Sequence, residues 1–288
     1  MARRVLAIFL AVGWAAAARA ADEAVTIKVK RLAAGDVVRT DKSDESTETT
    51  TVTAGGKDQK QEDKSSNKAK FTDEVLAADG TSVKPTKVKR AYETAEAVRK
   101  GKDVELGLAG KTVLIEKGAD KYAYTLDGKP VAAAAKDVLD REYNRAGMAA
   151  FEDVMMPKNA VKVGEKWQVE PAVLAKLFGE QMTIDTDKTK VSGKLVKTYD
   201  KGGVKYGVIE FTIDLAITAM KSPMGELPAS DGSVMSFVVS RDGCIDGTAL
   251  DDVMTGNIKA DIGIKLPQAE VRVIVDGTMK STITTVKK

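Results

Sequence analysis

From Ala24 the chain alternates between apolar and polar positions. Val25, Ile27 and Val29 fall on one side, Thr26, Lys28 and Lys30 on the other. That is the period of a strand with one buried face. Ala34-Gly35-Asp36 turns the chain, and Val37-Val38 begins the next strand. Asp41 to Lys70 breaks the pattern. Its only branched aliphatic residue is Val52, and Thr47, Thr49, Thr50, Thr51 and Thr53 stand among charges. Ala54-Gly55-Gly56-Lys57-Asp58 supplies turn chemistry at its middle. A disordered loop and a long solvated hairpin are both compatible with such a stretch: the threonines favour β, while Lys57–Lys70 has no apolar face to bury.

Alternation then returns. Phe71 to Leu76, the Asp79-Gly80 turn and Val83 to Tyr92 predict a hairpin, with Pro85 placing the second strand at an edge or a bulge. Val104–Leu108, Thr112–Glu116 and Tyr122–Leu126 predict three short strands. At Ala132 the period changes to that of a helix. Ala132, Ala135, Leu139, Tyr143, Ala146 and Ala150 form one stripe, which predicts a helix over 133–150 ended by Met155-Met156-Pro157. A second helix is predicted from Pro171, with Val173, Leu174, Leu177 and Phe178 on one face and Gly179 at its end.

From Thr183 onward the pattern is β again. Ile209, Phe211, Ile213, Leu215 and Ile217 alternate strictly, followed by Met235, Phe237 and Val239, then Ile258, Ile262 and Ile264, then Val271, Val273 and Val275. Gly202-Gly203, Asp231-Gly232, Asp242-Gly243 and Asp276-Gly277 mark turns. The pattern predicts an α+β fold, mainly antiparallel β: one strongly curved multi-stranded sheet, a half-barrel, covered by two helices. The expected organisation is a single β-rich domain over 21–288, with a β half at 22–131, a helical connection at 132–181 and a β half at 182–288.

The first twenty residues read as a secretory signal. Arg3 and Arg4 precede the apolar run Val5–Ala18, and Ala18-Arg19-Ala20 is a small-x-small cleavage site. The run is shorter than the roughly 20 residues a bilayer span needs. Cleavage after Ala20 predicts an exported protein, periplasmic or extracellular, with no transmembrane segment left. It also changes the charge. The formal +3 of 45 Lys+Arg against 42 Asp+Glu disappears with Arg3, Arg4 and Arg19, so basicity argues for no nucleic-acid partner.

The chain has no histidine, which excludes Ser-His-Asp and Cys-His catalysis and histidine metal sites. The lone Cys244 permits no intramolecular disulfide. It is expected to pack as a small apolar residue, with an intermolecular disulfide as the alternative. Asp185 and Asp187, at i and i+2 in a predicted strand, would share a face about 7 Å apart, near the spacing of an inverting glycosidase pair. The flanking Lys188 and Lys190 instead suggest a solvated face. Asp251 and Asp252 would point to opposite faces. Ser65-Ser66-Asn67-Lys68 matches Ser-x-x-Lys in a stretch too polar to hold a neutral lysine. No catalytic residue, metal ligand or cofactor is assigned, and the chain reads as non-enzymatic. A curved sheet under helices can enclose an apolar cavity, for which Met148, Met155, Met156, Met182, Met220, Met224 and Met235 would give an adaptable lining; simple core filling is the other use of such methionines.

One stretch is specific. Met156-Pro157-x-x-Ala160-Val161-Lys162-Val163-Gly164-Glu165-Lys166-Trp167 follows the first helix and ends on a tryptophan. With Ala34-Gly35-Asp36-Val37-Val38 and Tyr124-x-x-Asp127-Gly128-Lys129 before it, the order resembles a family of uncharacterised exported bacterial β-rich domains. These carry a Leu-Pro-x-x-x-Val-x-Val-Gly-Asp/Glu-x-Trp element, and Met156 stands here in place of the leucine. The resemblance implies a fold similar to the half-barrels of periplasmic lipoprotein carriers and supplies no catalytic residues. Pro157, Val161, Val163, Gly164 and Trp167 are read as its structural signature. The function expected is binding of an apolar small molecule, a lipid or a lipid-bearing partner in a sheet-helix cavity. The alternative is a structural or protein-interaction domain of the cell envelope, with an envelope protein as partner.

Overall fold

A computed structural model of the chain describes residues 23–80, 82–144, 154–179, 181–222, 225–266 and 269–286. Among them, fifteen strands join one open, antiparallel sheet. The N-terminal half contributes β1 (Val37–Ala54), β2 (Lys57–Ala77), β3 (Lys87–Arg99), β4 (Lys102–Val104), β5 (Thr112–Lys117), β6 (Tyr122–Leu126) and β7 (Lys129–Pro130). Helix α1 (Ala133–Tyr143), β8 (Lys166–Gln168) and helix α2 (Pro171–Phe178) follow. The C-terminal half contributes β9 (Met182–Ile184), β10 (Lys190–Lys201), β11 (Val204–Ser222), β12 (Gly225–Pro228), β13 (Val234–Cys244), β14 (Asp252–Leu266) and β15 (Ala269–Val286).

The strand order is β7-β6-β5-β3-β2-β1-β15-β14-β13-β11-β10-β8. The two halves meet where β1 pairs with β15, the last strand, along sixteen residues from Arg39↔Val286 to Ala54↔Val271. The polar stretch 41–70 is thus an ordered hairpin. Its β1 side is stitched into the ladder of β15, and its β2 side continues into Phe71–Ala77. Threonines suit this position because β-branched side chains pack well on a pleated surface without needing burial. Gly55 and Gly56 both have positive φ, so the turn between the strands needs no strained side chain.

Two apolar clusters flank the hairpin. The N-terminal cluster joins Phe71, Val88, Tyr92, Val113, Ile115, Tyr122 and Tyr124 to Ala135, Leu139 and Tyr143 of α1. The C-terminal cluster gathers Leu195, Ile209, Phe211, Ile213, Leu215, Ile217 and Ile262 with Met155, Val161 and Leu174. The alternation of β11 therefore faces the core as expected.

Several expectations shift. The N-terminal alternation forms no regular strand. Residues 25–28 make two isolated bridges, Val25↔Val161 and Lys28↔Asp246, and Ile27 is buried in the C-terminal cluster. The strand expected from Val83 begins at Lys87 instead, beyond Pro85, and continues to Arg99. Proline lacks the ladder donor, so pairing with β2 starts after it. α1 is described to Tyr143, with the Asn144 N–H donating to the Asp140 carbonyl; Ala146 and Ala150 of the predicted stripe lie outside the described residues, as does the signal segment 1–20. Asp185 and Asp187 sit in a turn after β9 and not on a strand.

Candidate functional site

The central strands bring an unexpected set of charges together. In the β2–β3 ladder Asp73 lies directly opposite Arg90, and in the β1–β2 ladder Thr40 lies opposite Phe71. Period two in Val88-x-Arg90-x-Tyr92 turns all three side chains to the buried face. Arg90 is 3% exposed and donates to Asp73 through Nε (2.7 Å) and Nη2 (2.8 Å). The same Nη2 donates to Glu142 Oε1 at 2.9 Å and to the Tyr143 hydroxyl at 3.1 Å, both on the last turn of α1. Its guanidinium carbon stands 3.8 Å above the centre of the Phe71 ring. Lys42 from β1 reaches Glu142 Oε2 and Asp44 Oδ2, each at 3.4 Å.

Burial opposes the charge on Arg90, but Asp73 and Glu142 outweigh it and hold its pKa well above the ordinary value. Burial likewise pushes the Glu142 carboxyl up, and Arg90, Lys42 and Lys84 together pull it well below its usual range. Lys42 is raised because Glu142 and Asp44 overcome its desolvation. Burial drives the Tyr143 phenol well above its usual value, so it stays protonated. The group is a charge-compensated tether between α1 and strands β1 to β3.

Beside it lies a hollow of about 160 Å³. Val29, Leu32, Val83, Pro85, Val88 and Ile283 supply its apolar walls. Arg241 of β13 and Asp252 of β14 also line it, joined by an Nε–Oδ2 bond of 2.8 Å and both 11% exposed. Arg241 Nη1 is shielded from solvent and has no hydrogen-bond acceptor among the described residues. A larger hollow, about 450 Å³, lies by the β1–β2 turn; it is polar, and its Arg272 is already paired with its Asp261.

The residues singled out from the sequence lie elsewhere. Val161 is buried, while Val163 and Trp167 pack half-buried against the C-terminal cluster. Gly164 has φ +87° and donates its N–H to the Leu195 carbonyl, and Pro157 borders the N-terminal segment near Ile27. None of the five borders the cleft. Cys244 is buried, with its sulfur 3.1 Å from Asp246 Oδ1 and accepting the Ala249 N–H. Asp185 accepts the N–H groups of Asp187 and Lys188, so the pair is engaged in its own turn. Asp251 accepts from Thr285 and the Tyr206 hydroxyl. Ser65 and Lys68, three apart on β2, face opposite sides, and Lys68 pairs with Glu45. Met155 and Met182 are core residues, and Met156, Met220 and Met235 pack against the same core, so none lines the cleft; Met148 and Met224 lie outside the described residues.

Sequence reasoning missed Arg90, Asp73, Glu142 and Arg241. The available signal was Arg90 itself, a charge at an inward position between Val88 and Tyr92. No protein-family model matches the chain, and no curated protein sequence matches it significantly.

Proposed function

We propose that this chain is an exported, non-enzymatic binding protein whose central cleft receives an apolar group, the end of an acyl chain on a lipid or on a lipid-bearing partner. The observation that carries this reading is the convergence of Leu32, Val83, Val88 and Ile283 on one hollow from four separate parts of the chain. Adjacent strands lie about 4.8 Å apart, so a flat sheet would set β3 and β13 about 24 Å apart. Residues of both border a single hollow of about 160 Å³. That supports a sheet curled strongly around the cleft, with α1 over its concave face, which is the half-barrel expected from the sequence. A hollow of about 150 Å³ takes up benzene, so this one holds about six carbons. It fits the tip of a chain.

The secretory pattern ending at Ala20 supports export to the periplasm or the exterior. Among the described residues no helix is long and apolar enough to cross a membrane. Native mass spectrometry of the protein purified from its own envelope tests the reading. An added mass released on collisional activation is expected; the bare mature mass under every gentle condition overturns it.

A structural or protein-interaction role in the envelope is the second reading. It is favoured by the β1–β2 hairpin, whose 18- and 21-residue strands expose mostly polar side chains. A cleft that stays empty, with the fold intact, leaves that reading in place.

A further inference from the structure

We infer that the ligand is a linear chain longer than the central hollow, and that it crosses the segment Val29–Leu32 into a second hollow on the other side. This rests on the binding role proposed above and adds where the remainder of the chain lies.

The second hollow, about 380 Å³, is bordered by Ile27, Val29, Met156 and Pro157, together with Lys28, Arg31 and Lys158. Ile27 is buried and the other three apolar residues are half-buried, whereas the three cations are exposed. Such a hollow, apolar within and charged at its surface, suits a hydrocarbon chain whose polar end stays in water. Among the described residues, Val29 is the one residue it shares with the central hollow. Lys30 and Leu32 border only the central hollow, and Lys28 and Arg31 only the second. The segment is therefore a partition a single chain thick. The central hollow takes about six carbons, so a longer chain has to leave it, and Val29 marks the way to further apolar surface.

The partition is fastened on both sides and not in its middle. Before it, Val25 and Val161 exchange backbone hydrogen bonds of 2.8 and 3.0 Å, and the Lys28 N–H donates to the Ile245 carbonyl at 2.8 Å. After it, the Gly35 N–H donates to the Val75 carbonyl and the Val75 N–H to the Asp36 carbonyl, both at 2.9 Å. Between these anchors Val29, Lys30 and Leu32 make no backbone hydrogen bond among the described residues. Displacing these three breaks no ladder, and segments of that kind open locally at low cost. Space on both sides of Val29 gives the displacement room.

Titration calorimetry of the mature protein with hexanol, octanol and decanol reads the length. Each methylene beyond about six carbons is expected to tighten binding about twofold to fourfold, the upper figure being full burial. A decanol with a diazirine at its third carbon reads the path. Irradiation is expected to label the peptides that carry Ile27–Arg31 or Met156–Lys158. Equal affinity for hexanol and decanol overturns the inference and leaves the binding role standing, since the chain then ends in the central hollow. Labelling confined to other peptides overturns it as well, because the chain then takes another path. Failure of all three alcohols to bind overturns the binding role together with the inference.

Discussion

Trp167 occupies the space that a side chain on Gly193 would need. The two are cross-strand partners in the β8–β10 ladder, and a Cβ built on Gly193 would stand 2.2 Å from the indole ring. The ring also meets Phe211 edge-on at 6.2 Å, and its Nε1 donates to the Met155 carbonyl at 2.8 Å. The tryptophan thereby fastens the connection between α1 and α2 to the C-terminal cluster, and the absence of a side chain at residue 193 makes this possible.

Gly193→Ala should therefore displace the indole and destabilise the fold by about 1–3 kcal/mol, the usual cost of overpacking. Trp167→Ala should cost about 3 kcal/mol, at the low end for tryptophan because the ring is half-buried. Denaturant titration reads both. Trp167 is the only tryptophan after Ala20, so its emission reports Gly193→Ala directly. An unchanged emission maximum and unfolding midpoint in Gly193→Ala would show that the ring does not rest there.

Removing Arg90 should be far more harmful than removing an exposed arginine such as Arg272. Arg90→Ala strands Asp73 and Glu142 in the interior, and breaking a buried pair costs about 3–5 kcal/mol. Arg272 pairs with Asp261 at the surface, where such pairs contribute about 1 kcal/mol or less. The triple variant Asp73→Asn, Arg90→Met, Glu142→Gln should recover part of the loss, since it leaves no uncompensated charge. Equal unfolding midpoints for Arg90→Ala and Arg272→Ala would contradict the geometry of the tether.

The same cluster sets an acid limit. In the folded protein burial raises the Glu142 carboxyl, but Arg90, Lys42 and Lys84 prevail and hold it well below its ordinary value of about 4.3. A carboxyl depressed by folding adds stability above its unfolded pKa and loses it as pH falls through the folded one. Stability should thus be flat around neutrality and decline below about pH 4. Glu142→Gln should be less stable at pH 7 and show a shallower decline on acidification. A decline as steep as that of the parent would place the acid sensitivity on other carboxylates.

Cys244 is 3% exposed and enclosed by Asp246, Thr248 and Ala249. Its thiol should react with an aromatic disulfide reagent only as fast as the protein opens, and at once in denaturant. Rapid labelling of the native protein would contradict its burial, and a disulfide-linked dimer on non-reducing gels would show an intermolecular role.

The strands and their faces were legible because their signal is local. The strict alternation Ile209 to Ile217 reads the same in sequence and in the core, and Pro171 opens α2 as its fixed φ suggests. The hairpin over 41–70 was undecided for a physical reason. Its stability comes from pairing with β15 more than two hundred residues later, and no local composition encodes that. Asp185 and Asp187 form a turn where the sequence predicts a strand, because a turn held by the Asp185 carboxylate looks like a polar strand in sequence. Arg90 was visible at an inward position of its strand, as was Asp73 between Phe71 and Val75, but Glu142 comes from α1 and nothing local joins the three.

By itself, the sequence determined the β-rich class, the helical interruption between two β halves, the secretory pattern and the absence of histidine chemistry. Those follow from periodicity and composition, which depend on neighbours along the chain. The tertiary structure decided which strands pair, that the first long strand lies beside the last in mid-sheet, and that Arg90, Arg241 and the apolar walls of Leu32, Val88 and Ile283 border one hollow. A cleft is a property of side chains brought together from distant parts of the chain, and only the full order of ladder partners specifies that meeting.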